Sequence, residues 1–563
     1  MLSPAISQQE YSRLFEQNHV GISSTTEYLS RGAWAQSGVI NSVSERESIA
    51  FEGDYLSDPG QRPNNDLEER VFSLQLKEQI TGKDSLYGLV FYSDTWSGDV
   101  AQRYDPAAAL LDLRTHDEEH PSMILGYHRE WAPGIHTLAL AGYLSDSLHF
   151  NGPVSMPVRE FDPFGNMYDA VTVSATVNYH GSLEIFPLEL QQIWETPKQT
   201  TIVGARFQTG WFKVSNVLSN FSSGAFFPAP VFDPPETRIQ FERASGYGYH
   251  QLRLGDHLQL IGGLAYDYMQ LPENFLLPPV SGDLKSVHQI SPKAAFIWQN
   301  DLGTVFRGAY TRSIVGASID QSFELEPAQL AGFTQTYRGV IPDSVEGTTS
   351  GAGVSSYGIA LEQKLKTGTY LSLSAYLLDT DFTRADGALS NLVVTPVIGS
   401  EREHLKFREQ SFAAEIDQLL GKYLTVGMQY RWTEADLKKN FVDFPPGFTD
   451  FNFDPSPHHT STLQQLSLHA AINCPSGFFS QVQAIWTHQH NSGFDDAGYG
   501  MDEPGDDFWH LDAFVGYRFA QRRAELSFGV LNITDQDYRL EPLTPYQDLP
   551  RQRTIAMRLQ ISF

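Results

Sequence analysis

Cysteine is almost absent from this chain of 563 residues, and long apolar runs and clusters of basic residues are missing as well. The single cysteine, Cys474, excludes an internal disulfide and any cysteine-rich metal site. No apolar run is long enough to span a membrane as a helix. The formal net charge is -28, and without Lys/Arg clusters the chain is a poor binder of nucleic acid.

Catalytic signatures are also missing. The sequence contains no G-x-S-x-G, H-E-x-x-H, P-loop or C-x-x-C motif, which predicts that the protein is not an enzyme and has no organic cofactor. Residues 1–4 lack the basic and apolar regions of a secretory signal. The sequence therefore predicts a mature form or the carboxy-terminal part of a longer chain.

Alternation of apolar and polar residues is what the sequence has in abundance. The last ten residues, TIAMRLQISF, place five apolar side chains on one face of a strand. These residues are Ile555, Met557, Leu559, Ile561 and Phe563. A strand that alternates up to a terminal aromatic residue is typical of a transmembrane barrel, in which the final strand must pair with the first.

The same alternation recurs along the chain, for example over residues 258–268 and 424–432, and many strands end in aromatic residues. A water-soluble sandwich or propeller also alternates, but the inward set here is polar and would make a poor dry core. The predicted lumen-facing residues are Arg431, Asp512, Arg518, Arg558 and Gln560. The apolar set must then face lipid.

We therefore predict an all-β fold, a single large transmembrane antiparallel β-barrel of about 22 strands with short periplasmic turns and long extracellular loops. Residues 1–20 are interpreted as a lead-in segment and residues 21–563 as the barrel. Segments such as 314–326 and 437–460 are polar and are expected to be long loops. A barrel of this width has a lumen that is either filled with water or plugged.

The densest polar cluster lies between Thr487 and His510. Oxygen-rich clusters suit Ca²⁺ or Mg²⁺, and a histidine pair adds affinity for a transition metal. The candidate ligands are His488, His490, Asp495, Asp496, Asp502, Glu503, Asp506 and Asp507. The spacing matches no EF-hand or zinc signature, and the alternative is a solvated extracellular loop.

Several segments resemble a known family. FGVLNITDQDYR (Phe528–Arg539) resembles the penultimate-strand motif of TonB-dependent receptors, and the segment Ile290–Ile314 resembles their mid-barrel hairpin. EYSRLFE, DPGQRPNNDLEERVF and YGIALEQKL are similar to the receptor-like barrel of outer-membrane proteins with upstream tetratricopeptide repeats. The plug domain and the TonB box of such receptors have no counterpart here, so a periplasmic plug or repeat domain is expected as a partner.

This resemblance implies a protein of a Gram-negative-type outer membrane, and three functions stay open. The first is a transporter or receptor for a solute. The second is a plugless export conduit for a polymer such as exopolysaccharide, and the third is a docking barrel for surface or partner proteins. Outer-membrane lipid, lipopolysaccharide and the barrel assembly machinery are expected partners, with the final strand and Phe563 as the assembly signal.

Overall fold

The computed structural model describes residues 19–221, 231–318, 321–391, 397–445, 454–494, 503–519 and 523–563. Twenty-two strands form one antiparallel barrel, and two short strands, β14 Gln329–Leu330 and β15 Phe333–Thr334, form a separate hairpin. The predicted fold class and strand number are confirmed. One helical turn, Asp343–Glu346, follows the hairpin.

Neighbours along the chain are neighbours in the barrel. The strands are β1 His19–Leu29, β2 Trp34–Val43, β3 Glu47–Asp58, β4 Leu67–Gln79, β5 Asp84–Ser97, β6 Arg114–Ala132, β7 Ile135–Phe161, β8 Met167–Glu195, β9 Gln199–Ser219, β10 Thr237–Leu254, β11 Leu258–Pro272, β12 Leu284–Gln299, β13 Thr304–Ile314, β16 Gly353–Lys364, β17 Thr369–Ser390, β18 Val397–Leu420, β19 Leu424–Phe441, β20 His458–Asn473, β21 Phe478–Ser492, β22 Asp507–Phe519, β23 Ala524–Leu531 and β24 Thr554–Ser562.

The barrel is closed by the pairing of β1 with β24. Their register runs from Ser23 opposite Ser562 to Leu29 opposite Ala556. Beyond the last paired residues, the backbone N–H of Phe563 donates to the carbonyl of Ile22 at 2.8 Å. Closure leaves no strand edge with unsatisfied backbone groups, as a hydrocarbon environment requires.

The two ends of the barrel differ in their connections. At one end, here called the turn end, consecutive strands are joined by two to four residues, as at 133–134 and 300–303. At the other, the loop end, connections reach the 38 residues of 315–352. The predicted alternation of short turns and long loops is therefore present. Strand β1 begins at His19, so most of the predicted lead-in lies outside the described residues.

Towards the turn end, apolar side chains lie on the outside of the wall and polar side chains on the inside, whereas towards the loop end the inner face also carries apolar residues such as Ile185 and Phe212. In β8, Leu188 and Leu190 are about 60% exposed, whereas Glu189 between them is 1% exposed. This inversion of a soluble core is expected when the solvent outside is lipid.

Exposed aromatic residues mark the turn end of the wall. They are Trp131, Trp194, Trp298, Tyr370, Tyr423, Phe478 and Tyr517. Rings at this position form the girdle that sits at a membrane interface. In the part of the chain that the structure describes, no helix is long and apolar enough to cross a membrane.

Candidate functional site

The connection between β13 and β16, residues 315–352, is called the inner loop, and its described residues, 315–318 and 321–352, fold back into the barrel. Its tip is the β14–β15 hairpin. The tip lies against Arg307, the fourth residue of β13 from the turn end, whose Nη1 donates to the carbonyl of Ala331 at 3.2 Å. The Phe333 ring packs on Gly358 of β16, where a Cβ would fall 2.2 Å from the ring. The inner loop therefore reaches nearly the full depth of the wall.

A first set of ion pairs holds the loop to strands β9 and β12. Glu324 pairs with Arg206, and Lys293 Nζ donates to Glu326 Oε1 at 2.8 Å. The Tyr249 hydroxyl also donates to Glu326, at 2.6 Å. Burial raises the pKa of the Glu324 carboxyl above its usual range, and the Arg206 guanidinium opposes that effect. Charge-assisted bonds in such a site are stronger than their counterparts in water.

A second set of ion pairs holds the other end of the inner loop. Glu346, in the helical turn, pairs with Arg384 of β17 at 2.7 Å and with Lys439 of β19. Arg384 also pairs with Glu403 of β18 at 2.7 Å. Burial raises the pKa of Glu346, whereas Lys439 and Arg384 lower it. The loop is thus attached by carboxylates to two arcs of the wall, one on each side of β13 and β16.

Apolar residues of the inner loop fill the space between these anchors. Leu325 belongs to a cluster with Phe275 and with wall residues such as Ile185 and Phe212. Ile341 belongs to a second cluster with wall residues of β16 to β19. The lumen on this side is therefore packed rather than filled with water.

Residues 532–553, between β23 and β24, form a second inserted segment, here called the C-terminal loop. The side-chain amide of Gln489 clamps it: Nε2 donates to Thr544 Oγ1 at 2.8 Å, and Oε1 accepts from the N–H of Glu541 at 2.6 Å. Tyr538 packs in an apolar cluster with Phe508, and Leu543 joins the cluster that contains Ile341 of the inner loop. The two loops therefore meet inside the barrel.

The loop end is further narrowed by strands that bend across it. Strands β7 and β17 are not neighbours in the wall, yet Leu389 and Ser390 pair in parallel with Val158 and Arg159. Arg159 Nη1 pairs with Glu401 Oε2 at 3.0 Å beside this contact. The paired ends of β7 and β17 lie across the opening of the lumen. A molecule passes them only when one of these strands is displaced, so they can retain a molecule above the lumen or exclude it.

The predicted lumen-facing residues lie on strand faces that carry buried side chains. Arg431 shares its face with Thr433 and Ala435, both buried, and Asp512 shares its face with buried His510. Asp512 Oδ1 accepts from the N–H of Asn532 at 2.7 Å, which fixes the start of the C-terminal loop.

Of the other three, Arg518 and Gln560 are near the turn end, and Arg558 is at the middle of β24. Arg518 pairs with Glu525 at 2.7 Å, and Glu525 lies opposite Gln560 in the register. Arg558 lies opposite Ser527 and is exposed. That these residues line the pore remains a prediction.

The predicted cation site is only partly described, since Asp495, Asp496 and Asp502 lie outside the described residues. The remaining five do not converge: His488 Nδ1 lies 3.2 Å from Asp507, whereas Asp506 accepts from the N–H of Arg539 at 2.8 Å. Within the described ranges, no group of three or more His, Cys, Asp or Glu is placed to hold a metal ion.

The predicted assembly residues are distributed along β24. Ile555, Met557 and Leu559 are exposed on the outer face, Ile561 is half-buried, and Phe563 is exposed at the end. Their role in assembly remains a prediction.

Sequence reasoning missed the inner-loop carboxylates Glu324, Glu326 and Glu346: the first two lie in the segment 314–326, interpreted as a long loop, and Glu346 lies outside any predicted site. The apolar content of the inner loop was the available signal, since Leu325, Leu330 and Ile341 are unusual in a solvated loop.

Comparison with solved structures supports the architecture. The unliganded ferric citrate transporter FecA superposes with a TM-score of 0.62 at 13% identity, over 97% of this chain and 79% of that chain. The copper transporter OprC superposes with a TM-score of 0.65 at 11% identity, over 98% of this chain and 81% of that chain. The siderophore receptor PirA from Pseudomonas aeruginosa superposes with a TM-score of 0.57 at 11% identity, over 97% of this chain and 81% of that chain. At such low identity the likeness concerns the fold alone.

Comparison of sequences shows the family. No curated protein matches the chain. The family model described as "TonB dependent receptor-like, beta-barrel" matches residues 72–533, which is most of the chain. The protein therefore belongs to the TonB dependent receptor-like β-barrel family.

Proposed function

We propose that the protein is an outer-membrane transporter or receptor, and that a solute passes through its lumen when the inner loop moves. The similar structures named as transporters of ferric citrate and of copper support a transport role for a barrel of this kind. Lipid, lipopolysaccharide and the barrel assembly machinery are the partners that such a location requires, and a periplasmic plug or repeat protein would act at the turn end.

The observation that carries this proposal is the way in which the inner loop is attached. Its carboxylates pair with cations of the wall at two separated sites. Buried ion pairs contribute little net stability because desolvation offsets most of their attraction. The ion pairs with the wall can be exchanged for pairs with another charged partner, and the apolar contacts of Leu325 and Ile341 close the lumen until that exchange takes place.

A docking barrel is the second candidate. The observation in its favour is the bridged loop end, where β7 pairs with β17 and the two inserted loops share one apolar cluster. An export conduit needs an open lumen for a polymer, and the two inserted loops argue against it.

The test compares the full chain with a loop-shortened variant in which a four-residue Gly/Ser linker replaces residues 322–350. Ile314 pairs with Gly353, so the ends of the loop are adjacent and the wall needs no change. Both proteins are refolded into liposomes, and entry of neutral sugars of increasing size is measured by swelling. We expect slow, intermittent entry through the full chain and fast entry through the variant.

Equal and fast sugar entry through both proteins would contradict a gating role for the inner loop and support a passive conduit. No entry through either, with heat-modifiable gel migration confirming the folded barrel, would contradict transport and support the docking barrel.

A further inference from the structure

A cavity between the inner loop and the wall has more hydrogen-bond donors than its surroundings satisfy. It is lined by Arg206, Arg243 and Lys293 of the wall and by Glu324 and Glu326 of the inner loop. Arg206 is 3% exposed, yet its Nε and Nη2 make no hydrogen bond to any described residue. Buried guanidinium nitrogens without acceptors are costly and call for a ligand.

The carboxylates of the wall are already engaged. Asp267 pairs with Arg243 at 3.0 Å. Glu189, opposite Arg206 in the β8–β9 register, accepts from the Tyr247 hydroxyl at 2.7 Å and, in the inner loop, from the N–H of Leu325 at 2.8 Å. The remaining two cations, Arg206 and Lys293, take their ion-pair partners from the inner loop. Withdrawal of the loop would leave both cations without those partners.

We infer that this cavity binds a small anion with carboxylate or phosphate groups, and that Glu324 and Glu326 occupy the site as internal substitutes for it. A guanidinium binds either group through two parallel hydrogen bonds, and the free nitrogens of Arg206 offer more such bonds. An anion that replaces the two glutamates leaves no wall cation unpaired, so it can release the loop. The inference rests on the proposed function and names its solute class.

The test measures single-channel opening of the full-length protein in a planar bilayer at constant ionic strength, with chloride replaced by inorganic phosphate or succinate. We expect opening to increase with phosphate or succinate in the wild type. The E324Q/E326Q double variant is expected to open without either anion, because glutamine cannot pair with the wall cations. R206K should raise the half-maximal anion concentration by about tenfold or more, since it loses a bidentate contact, whereas K293Q, which also frees Glu326, should open more in chloride and respond less to the two anions.

D66N, which changes an exposed pair at the loop end, is the matched control and should respond like the wild type. A wild type that ignores phosphate and succinate while the double variant conducts would overturn the inference and leave the proposed function standing. An anion response that K293Q and R206K retain unchanged would also overturn it. A double variant and a loop-shortened variant that both stay closed would overturn the inference and the proposed function together. If R206K fails to fold by gel migration, K293Q decides.

Discussion

The inner loop and the C-terminal loop both enter the lumen from the loop end, but different chemistry holds them in place. Glu324, Glu326 and Glu346 attach the inner loop to cations on the wall. The C-terminal loop is held by the neutral amide of Gln489 and by buried Tyr and Leu side chains such as Leu543. Both loops also pack apolar side chains into one shared cluster, which contains Ile341 and Leu543, so the ion pairs to the wall are what distinguishes the inner loop, and ion pairs can be exchanged for other ions. The comparison suggests one movable and one permanent obstruction.

Shortening each loop in turn is expected to give the largest difference between the inner loop and the C-terminal loop. Removing residues 322–350 should convert a closed barrel into a conducting one, since a lumen this wide is not filled by wall side chains alone. Removing residues 535–551 should instead lower the thermal unfolding temperature, because the cluster around Tyr538 loses its core. Conductance and thermal unfolding of both variants check this. Equal conductance in both would break the comparison.

E346Q is expected to have the next largest effect. A neutral amide cannot balance the positive charges of Arg384 and Lys439. Loss of one partner from a buried ionic group lowers the free energy of unfolding by about 3–5 kcal/mol. Hydrogen exchange of residues 341–350 should become faster, with exchange in the C-terminal loop unchanged. Faster exchange in both loops would mean that they move as one body.

The L543A substitution should destabilise the protein without opening the lumen. Leu543 is fully buried, and truncation of a buried leucine costs about 2–5 kcal/mol. We expect a lower unfolding temperature and no change in conductance. A conducting L543A protein with an unchanged unfolding temperature would show that the C-terminal loop is also a gate.

The C-terminal loop is expected to loosen at alkaline pH. Burial, together with a hydrogen bond shared with Glu503, raises the pKa of Glu541 to about 9. Docking of the C-terminal loop favours the protonated carboxyl of Glu541. The contribution of this carboxyl to the stability of the docked loop is therefore complete below the ordinary carboxyl pKa and falls as the pH rises towards 9. Limited proteolysis of the loop should therefore speed up between pH 5 and pH 9. E541Q should remove that dependence, and a wild-type profile that is flat would contradict the assignment.

The smallest effect is expected from D66N. Its pair with Arg114 is exposed at the loop end, and such pairs contribute less than about 1 kcal/mol. Unfolding temperature, conductance and exchange should all match the wild type. A clear change in any of them would mean that loop-end charges act on the lumen at long range.

The strands of the barrel wall could be predicted from the sequence, but the loops that fill the lumen could not. Period-2 alternation, as over 424–432, is a local signal, and the hairpin expected at Ile290–Ile314 is present as β12 and β13. The destination of the inner loop depends on distant partners: Glu324 meets Arg206, 118 positions away. No local pattern encodes such a contact.

Strand ends were misjudged for a related reason. Residues 437–441 and 458–460 were interpreted as loop but extend β19 and β20. Beyond the lipid both faces of a strand are wet, so polar residues continue the strand and the alternation disappears.

The seam between β1 and β24 has a consequence for how the molecule comes into being. Apart from the short parallel contact of β7 with β17, every other pairing of described wall strands joins neighbours along the chain, but across the seam the Oγ of Ser30 meets the N–H of Ile555, 525 positions away. Such a distant contact forms slowly, after the local hairpins. Until then β1 and β24 present two bare edges that can capture strands of other chains. Completion of the wall and protection from aggregation are therefore one and the same event.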